Sequence, residues 1–122
     1  MVDEPPIVQM DFTMLEGFTV LTLIDVEHGY GLATEVPDKT ASNFAISWAT
    51  SSLERLGLSE IILQVDQEQS MEAIAKAIQA KRTARTQIRL APRRSHQSMG
   101  AVSRWHRQLQ EEIRALKTSI ED

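Results

Sequence analysis

Polar and apolar residues alternate from Ile7 to Leu15, and the run Phe18–Val26 that follows is rich in Val, Leu, Ile and Thr. The turn signals Glu16-Gly17 and His28-Gly29 come after these two runs. Alternation with a period of two is typical of a β-strand that has one buried face. Glycine-containing breaks between such runs indicate short turns. We therefore predict an antiparallel meander of three strands, Ile7–Leu15, Phe18–Val26 and Tyr30–Val36.

Helical spacing of apolar residues alternates with short apolar runs in the rest of the chain. The predicted elements are a helix capped by Pro37–Thr40 and ending before Gly57, a strand Ser59–Val65, a helix Ser70–Arg82, a strand Thr86–Leu90 and a long helix from Ser98 to near Ser119. The long helix has an apolar stripe made of Val102, Trp105, Leu109, Ile113, Leu116 and Ile120. The order β-β-β-α-β-α-β-α predicts an α/β fold with a mixed sheet and helices on its faces. A length of 122 residues predicts a single domain, residues 1–122.

Charge is distributed unevenly along the chain. Residues 1–75 contain 13 acids and two cations, whereas residues 76–122 contain 11 cations and four acids, so the net charges are -11 and +7. This asymmetry indicates either a surface that binds a polyanion or merely a soluble domain with uneven charge. The chain has no cysteine, no membrane-length apolar run and no signal-peptide pattern. We therefore expect a protein inside the cell, nuclear or cytoplasmic rather than secreted, with no membrane partner.

Two aspartates lie in or at the end of apolar strands, where burial of an unpaired carboxylate is unfavourable. Asp11 lies in the middle of an apolar strand, where it either faces solvent beside Gln9 and Thr13 or belongs to a site. Asp66 ends the fourth strand, where ligands often bind but where aspartate is also a common turn residue. If the two strands are neighbours in the sheet, the two carboxylates together begin a site for a divalent metal.

Several motifs together resemble the catalytic core of retroviral-type integrases. They are Gln9-Met10-Asp11-Phe12-Thr13, Leu23-Ile24-Asp25 before Gly29-Tyr30, Val65-Asp66-Gln67-Glu68, and Ala91-Pro92 followed by His96-Gln97-Ser98-Met99-Gly100-Ala101-Val102. They occur in the order and at the spacing of that family, over nearly the whole chain. The resemblance implies an RNase H-like fold with a mixed five-stranded sheet. It also implies a site of three acids that uses Mg²⁺ or Mn²⁺ to process and join DNA 3′ ends, in a retrotransposon or retrovirus.

The resemblance assigns Asp11 to the first acid and Asp66 to the second, and it puts the third acid at Ser103. A serine hydroxyl is at best a weak neutral ligand, so we expect impaired metal binding and catalysis. Neither Glu111 nor Glu112 compensates, since both lie roughly 12 Å or more along the helix. The sequence does not place Glu68.

DNA is the expected partner, and a second copy of the chain is implied by the resemblance, because integrase cores commonly dimerise. The long helix has a second stripe beginning at Ser103, which is either an ordinary solvated face or a surface that contacts phosphates. The candidate DNA-binding residues of this stripe and of the preceding loop are Arg93, Arg94, His96, Gln97, Arg107, Arg114 and Lys117. His106, one turn after Ser103, either faces the site or is a surface residue, and we expect a surface residue.

Two further functions remain open at this point. The first is a non-catalytic module for DNA binding or assembly, derived from a retroelement integrase. The second is an RNase H-fold nuclease that acts on RNA–DNA hybrids, which the loop before the long helix fits less well. The sequence shows neither the His/Cys zinc-binding segment nor the small β-barrel of complete integrases, so we expect a core that is truncated at its C-terminal end.

Overall fold

A computed structural model of the chain describes residues 4–92 and 99–121. Its elements in chain order are β1 Ile7–Leu15, β2 Phe18–Asp25, β3 Gly31–Val36, α1 Asn43–Arg55, β4 Ile61–Asp66, α2 Gln69–Lys81, β5 Thr86–Ala91 and α3 Gly100–Glu121. The strands form one sheet in the order β3-β2-β1-β4-β5. The meander is antiparallel, and β4 and β5 add parallel strands on the other side of β1. The predicted mixed five-stranded sheet is confirmed.

The two faces of the sheet bury different sets of side chains. Side chains alternate along each strand, so Val8, Met10 and Phe12 enter the main core with α1 and α2. The opposite face packs against α3 in a smaller core of Ile24, Ala91, Met99, Ala101 and Val102, with Trp105 at its border. The polar residues of β1, Gln9 and Asp11, therefore lie on the α3 side of the sheet.

Helix α1 begins later than the sequence predicted. Its N-cap is Ser42, whose hydroxyl accepts a hydrogen bond from the Ala45 N–H at 3.1 Å. The hydroxyl satisfies one of the free N–H groups of the first helical turn. The predicted cap, Pro37–Thr40, precedes the helix by too many residues to do so. Gly57 follows the helix with a φ of +73°, as predicted for a terminating glycine.

Helix α3 begins against the sheet and extends beyond it. Val102 is fully buried, but Leu116 and Ile120 are 63% and 82% exposed. At Lys117 the helix already reaches the β1–β2 turn, where Nζ lies 3.6 Å from Glu16 Oε2. The last two members of the apolar stripe are therefore exposed, because the sheet ends before the helix does.

The start of α3 is fixed by contact with β3. A Cβ atom on Gly31 would overlap the indole ring of Trp105, so glycine is required for the helix to lie this close. The indole Nε1 donates a hydrogen bond to the Leu32 carbonyl at 3.3 Å. This contact sets which side of α3 faces each strand. Among the described residues no helix is long and apolar enough to cross a membrane.

Candidate active site

Asp11 and Asp66 lie side by side on neighbouring parallel strands. The β1–β4 pairing matches Gln9 with Gln64, and continuing both strands by two residues places Asp11 opposite Asp66. Gln9 Nε2 donates to Gln64 Oε1 at 3.0 Å, and Gln9 Oε1 accepts from the Val102 N–H at 2.9 Å. This row of side chains therefore points towards α3, and the two aspartates, two residues further on, share that side of the sheet. Parallel pairing brings together two carboxylates that are 55 residues apart.

Burial and neighbouring negative charges oppose ionisation of Asp11. Burial is the largest cause and the charge of Asp66 the second, and with a smaller effect of Glu68 they raise the pKa of Asp11 to about 6. The Phe12 N–H, which donates to Asp11 Oδ1 at 2.9 Å, and the charge of Lys39 act in the opposite direction. Glu68, which the sequence did not place, thus lies within electrostatic range of Asp11. A cation bound here would relieve the repulsion.

Ser103 lies in the first turn of α3, on the side of the helix directed towards β1 and β4. Successive residues of a helix are rotated by about 100°, so Ser103 and Trp105 point in nearly opposite directions across the buried face. Trp105 contacts β3, and the neighbouring Val102 N–H contacts Gln9 of β1. Ser103 therefore faces the half of the sheet that holds the aspartates. Within residues 4–92 and 99–121 no group of three or more His, Cys, Asp or Glu side chains is arranged to hold a metal ion.

His106 is not the surface residue that we expected. Its Nε2 lies 2.6 Å from Thr22 Oγ1, and the Thr22 hydroxyl donates to the Asp11 carbonyl at 2.9 Å. Burial lowers the pKa of His106 to about 4, so the ring is neutral at pH 7. Because the hydroxyl hydrogen is directed at Asp11, the ring Nε2 acts as the donor to Thr22. The signal was present in the sequence, since His106 follows the buried Val102 by four residues and shares its face of the helix.

The proposed DNA-binding residues of α3 are exposed. Arg107, Arg114 and Lys117 lie with Gln110 on the side of the helix that begins at Ser103. This side continues from the acidic pair towards the β1–β2 turn, where Lys117 meets Glu16. The other four candidates, Arg93, Arg94, His96 and Gln97, lie outside the described residues.

The raised pKa of Asp11 predicts a pH dependence of stability. The folded pKa of about 6 exceeds the ordinary value of 3.8, so the folded protein holds the proton more tightly than the unfolded chain. This contribution is fully present below about pH 4 and is lost as the pH rises through about 6, and at pH 8 its loss amounts to roughly 3 kcal/mol. We expect Asp11→Asn to stabilise the protein by about that amount at pH 8 and to have little effect at pH 4, in chemical denaturation at both pH values.

The exposed Asp38 supplies a matched control, because Asp38→Asn removes the same charge elsewhere. A gain from Asp11→Asn that is the same at pH 4 and pH 8 would contradict a raised pKa as its cause.

The residues present fit a divalent metal, although with fewer protein ligands than three acids would supply. Mg²⁺ accepts one or two carboxylates and completes its coordination with water and substrate phosphates. Asp11 and Asp66 are such carboxylates, and burial together with the charge of Asp66 raises the pKa of Asp11. Ser103 adds a neutral hydroxyl at most.

The fold is similar to that of a protein domain of known structure. No family model matches the chain, and no curated protein sequence matches it. Among solved structures, the chain is similar to the catalytic core domain of BIV integrase, with a TM-score of 0.66 and 20% identity over 94% of this chain and 73% of that one. At this identity the similarity establishes the fold. The chain therefore has the RNase H-like fold of an integrase catalytic core.

Proposed function

We propose that this domain is an integrase-type polynucleotidyl transferase core that acts on DNA 3′ ends with a divalent metal, and that Ser103 leaves it catalytically weak. The observation that supports the proposal most strongly is the charge of Asp66 acting on Asp11, which agrees with the β1–β4 register when both strands are continued by two residues. The similarity to an integrase core supports the same class of reaction. A retroelement origin and assembly as a homodimer are part of this proposal.

In this proposal Asp11 and Asp66 hold Mg²⁺ or Mn²⁺. When bound, the ion would polarise a phosphoryl oxygen and offset the charge that develops during transfer. The chain itself contributes orientation. The Gln9–Val102 hydrogen bond and the His106–Thr22 pair attach the start of α3 to β1 and β2, so Ser103 is held beside the acidic pair. With a hydroxyl in the position of a carboxylate, the site holds metal weakly and the reaction is slow.

The exposed Arg107 and Arg114 would bind the DNA backbone. Phosphate contacts by such cations fix the position of the duplex and are independent of sequence. Because these residues extend from Ser103 along the helix, the bound DNA would lie beside the acidic pair.

A second candidate function is a non-catalytic module that binds DNA or promotes assembly. The specific observation in its favour is that Ser103 lacks a charge while Arg107 and Arg114 remain exposed on the same helix. This function would retain the fold and the DNA surface and would not need the acidic pair.

One set of variants tests both functions. We expect weak Mn²⁺-dependent strand transfer by the wild-type protein, lost in Asp11→Asn without loss of DNA binding. DNA binding, measured by fluorescence anisotropy, should weaken in Arg107→Glu and Arg114→Glu. Transfer that is absent from the wild type, together with intact DNA binding, would select the non-catalytic module. If the wild type binds no DNA at low salt, both functions are excluded.

A further inference from the structure

A cation that the sequence did not single out lies next to the acidic pair. Arg89 on β5 is the register partner of Gln64, and Gln64 is the partner of Gln9. Two residues further along the strands Asp66 pairs with Ala91, and the β1–β4 register continued by two residues puts Asp11 beside Asp66. Paired residues of parallel strands direct their side chains to the same face, so Arg89 shares the α3 side with the acidic pair. With about 3.3 Å per residue and about 4.8 Å between strands, the Cα of Arg89 lies about 8 Å from that of Asp66.

The position of Arg89 leaves it accessible to a large ligand. Strand β5 is the edge of the sheet, and α3 packs mainly on β1 and β2. The Arg89 side chain is 44% exposed. A polyanion that approaches the acidic pair across this edge would therefore meet Arg89 before it meets the carboxylates.

The partner of Arg89 in the free protein is a carboxylate that a phosphate can replace. Arg89 Nη2 lies 3.7 Å from Glu4 Oε1, and both side chains are exposed. A charge-assisted hydrogen bond measures about 2.7–2.9 Å, so this pair is loose and contributes little. A phosphate offers the guanidinium two oxygens in a geometry that it binds in a bidentate manner.

Electrostatics give a reason for a cation at this point. Asp11, Asp66 and Glu68 concentrate negative charge where a DNA strand would have to bind. Unless cations line its path, the backbone is repelled from these carboxylates. The cations of the stripe that begins at Ser103 are on the helix α3. Arg89 is on the same face of the sheet but at its β5 edge, beyond the acidic pair.

We propose that Arg89 binds a backbone phosphate of the DNA strand that enters the site across the β5 edge. In the free protein the Arg89 guanidinium pairs with Glu4, and the phosphate replaces that carboxylate. This inference rests on the proposed function, because it takes DNA as the ligand of the site. It adds the direction from which the strand arrives and a loose ion pair that the phosphate must displace. Arg89 is a positioning residue here and does not touch the reacting atoms.

The chain contains a matched control for each variant. Arg85 precedes the same strand, is 74% exposed and pairs loosely with Glu60 at 3.9 Å. It lies about 13 Å further from the acidic pair along the strand. Arg89→Gln and Arg85→Gln therefore remove the same charge from one edge, and Glu4→Gln and Glu60→Gln release the two guanidinium groups in the same way.

The test measures the Kd for a short DNA duplex at several salt concentrations, with EDTA present so that metal binding does not contribute. We expect Arg89→Gln to weaken binding several-fold and to reduce the slope of log K against log salt by about 1, while Arg89→Lys retains the slope. Glu4→Gln should tighten binding. Arg85→Gln and Glu60→Gln should each change the Kd less than Arg89→Gln and Glu4→Gln do. Unchanged thermal midpoints would show that every variant is folded.

The outcomes separate this inference from the proposed function. If the wild type binds DNA but Arg89→Gln and Arg85→Gln have the same Kd and slope, Arg89 has no special role and the proposed function stands. If Glu4→Gln does not tighten binding, the competition by Glu4 is excluded. A wild type that fails to bind DNA at 50 mM salt overturns the inference together with the proposed function.

Discussion

Ser103→Glu is expected to be less stable than the wild type without divalent metal and more stable than the wild type with it. In EDTA the variant should be less stable than the wild type, because another carboxylate adds to the burial and repulsion that already raise the pKa of Asp11. In Mn²⁺ it should be the more stable of the two. A metal at ten times its Kd stabilises the folded state by about 1.4 kcal/mol. That corresponds to about 5 °C in the thermal midpoint of a domain of this size.

The same substitution should increase strand transfer. A correctly coordinated metal contributes several kcal/mol to the transition state, so we expect roughly 100-fold or more in rate over the wild type. Both effects should disappear when Asp11→Asn is added, because the new carboxylate then lacks its partner. Ser103→Gln is the matched control, since it has the same length without the charge.

Thermal scans in EDTA, Mg²⁺ and Mn²⁺, together with a strand-transfer assay, check this prediction. The idea that Ser103 occupies the position of a missing acid fails if the ranking of Ser103→Glu and wild type is the same with and without metal. A wild-type transfer rate equal to that of Ser103→Glu would show instead that the hydroxyl is sufficient.

Arg82→Met is expected to cause the largest loss of stability. The guanidinium is buried and donates to the carbonyls of Leu58 and Ser59 at 2.7 and 2.6 Å and to Thr86 Oγ1 at 2.8 Å. It thereby joins the segment before β4 to the start of β5. Hydrogen bonds to charged groups contribute about 1.5–3 kcal/mol each, and their loss leaves acceptors unpaired. We expect a loss of roughly 3 kcal/mol or more, measured by denaturant unfolding.

Glu54 supplies the control for this variant. Its Oε1 lies 3.5 Å from Arg82 Nε, which has no hydrogen bond, and its side chain is 61% exposed. Loosely paired exposed carboxylates contribute about 0–1 kcal/mol, so Glu54→Gln should change stability little. If Glu54→Gln costs as much as Arg82→Met, the ion pair and not the carbonyl contacts holds the two segments together.

The sequence by itself predicted the strands and helices well, because their signals are local. Alternation predicted β1 with the bounds Ile7–Leu15 that the structure has. The order of elements and the turn signals were sufficient for a mixed sheet, since short turns favour antiparallel neighbours and helical crossovers favour parallel ones. The candidate site residues could also be identified from local sequence. Two aspartates in apolar strands and a serine after Gly100 were visible without any structure.

Errors in the sequence interpretation came from side chains whose environment depends on distant elements. Arg82 was predicted only as the last residue of a helix, and nothing local in the sequence indicated that it is buried where the segments before β4 and β5 converge on it. His106 looked like a surface residue, but α3 directs it onto Thr22 of β2. Leu116 and Ile120 continue the apolar stripe but are exposed, because the helix extends beyond the sheet.

Only the tertiary structure decided which groups meet. Asp11 and Asp66 are 55 residues apart, and the register of β1 with β4 places them side by side, so that the charge of one opposes ionisation of the other. A shift of one residue would have turned a strand over and separated the carboxylates. The same register aligns Arg89 with Gln64 on the α3 side. Periodicity along a strand fixes which residues share a face, but the pairing between strands fixes their neighbours, and that pairing depends on contacts far apart in the chain.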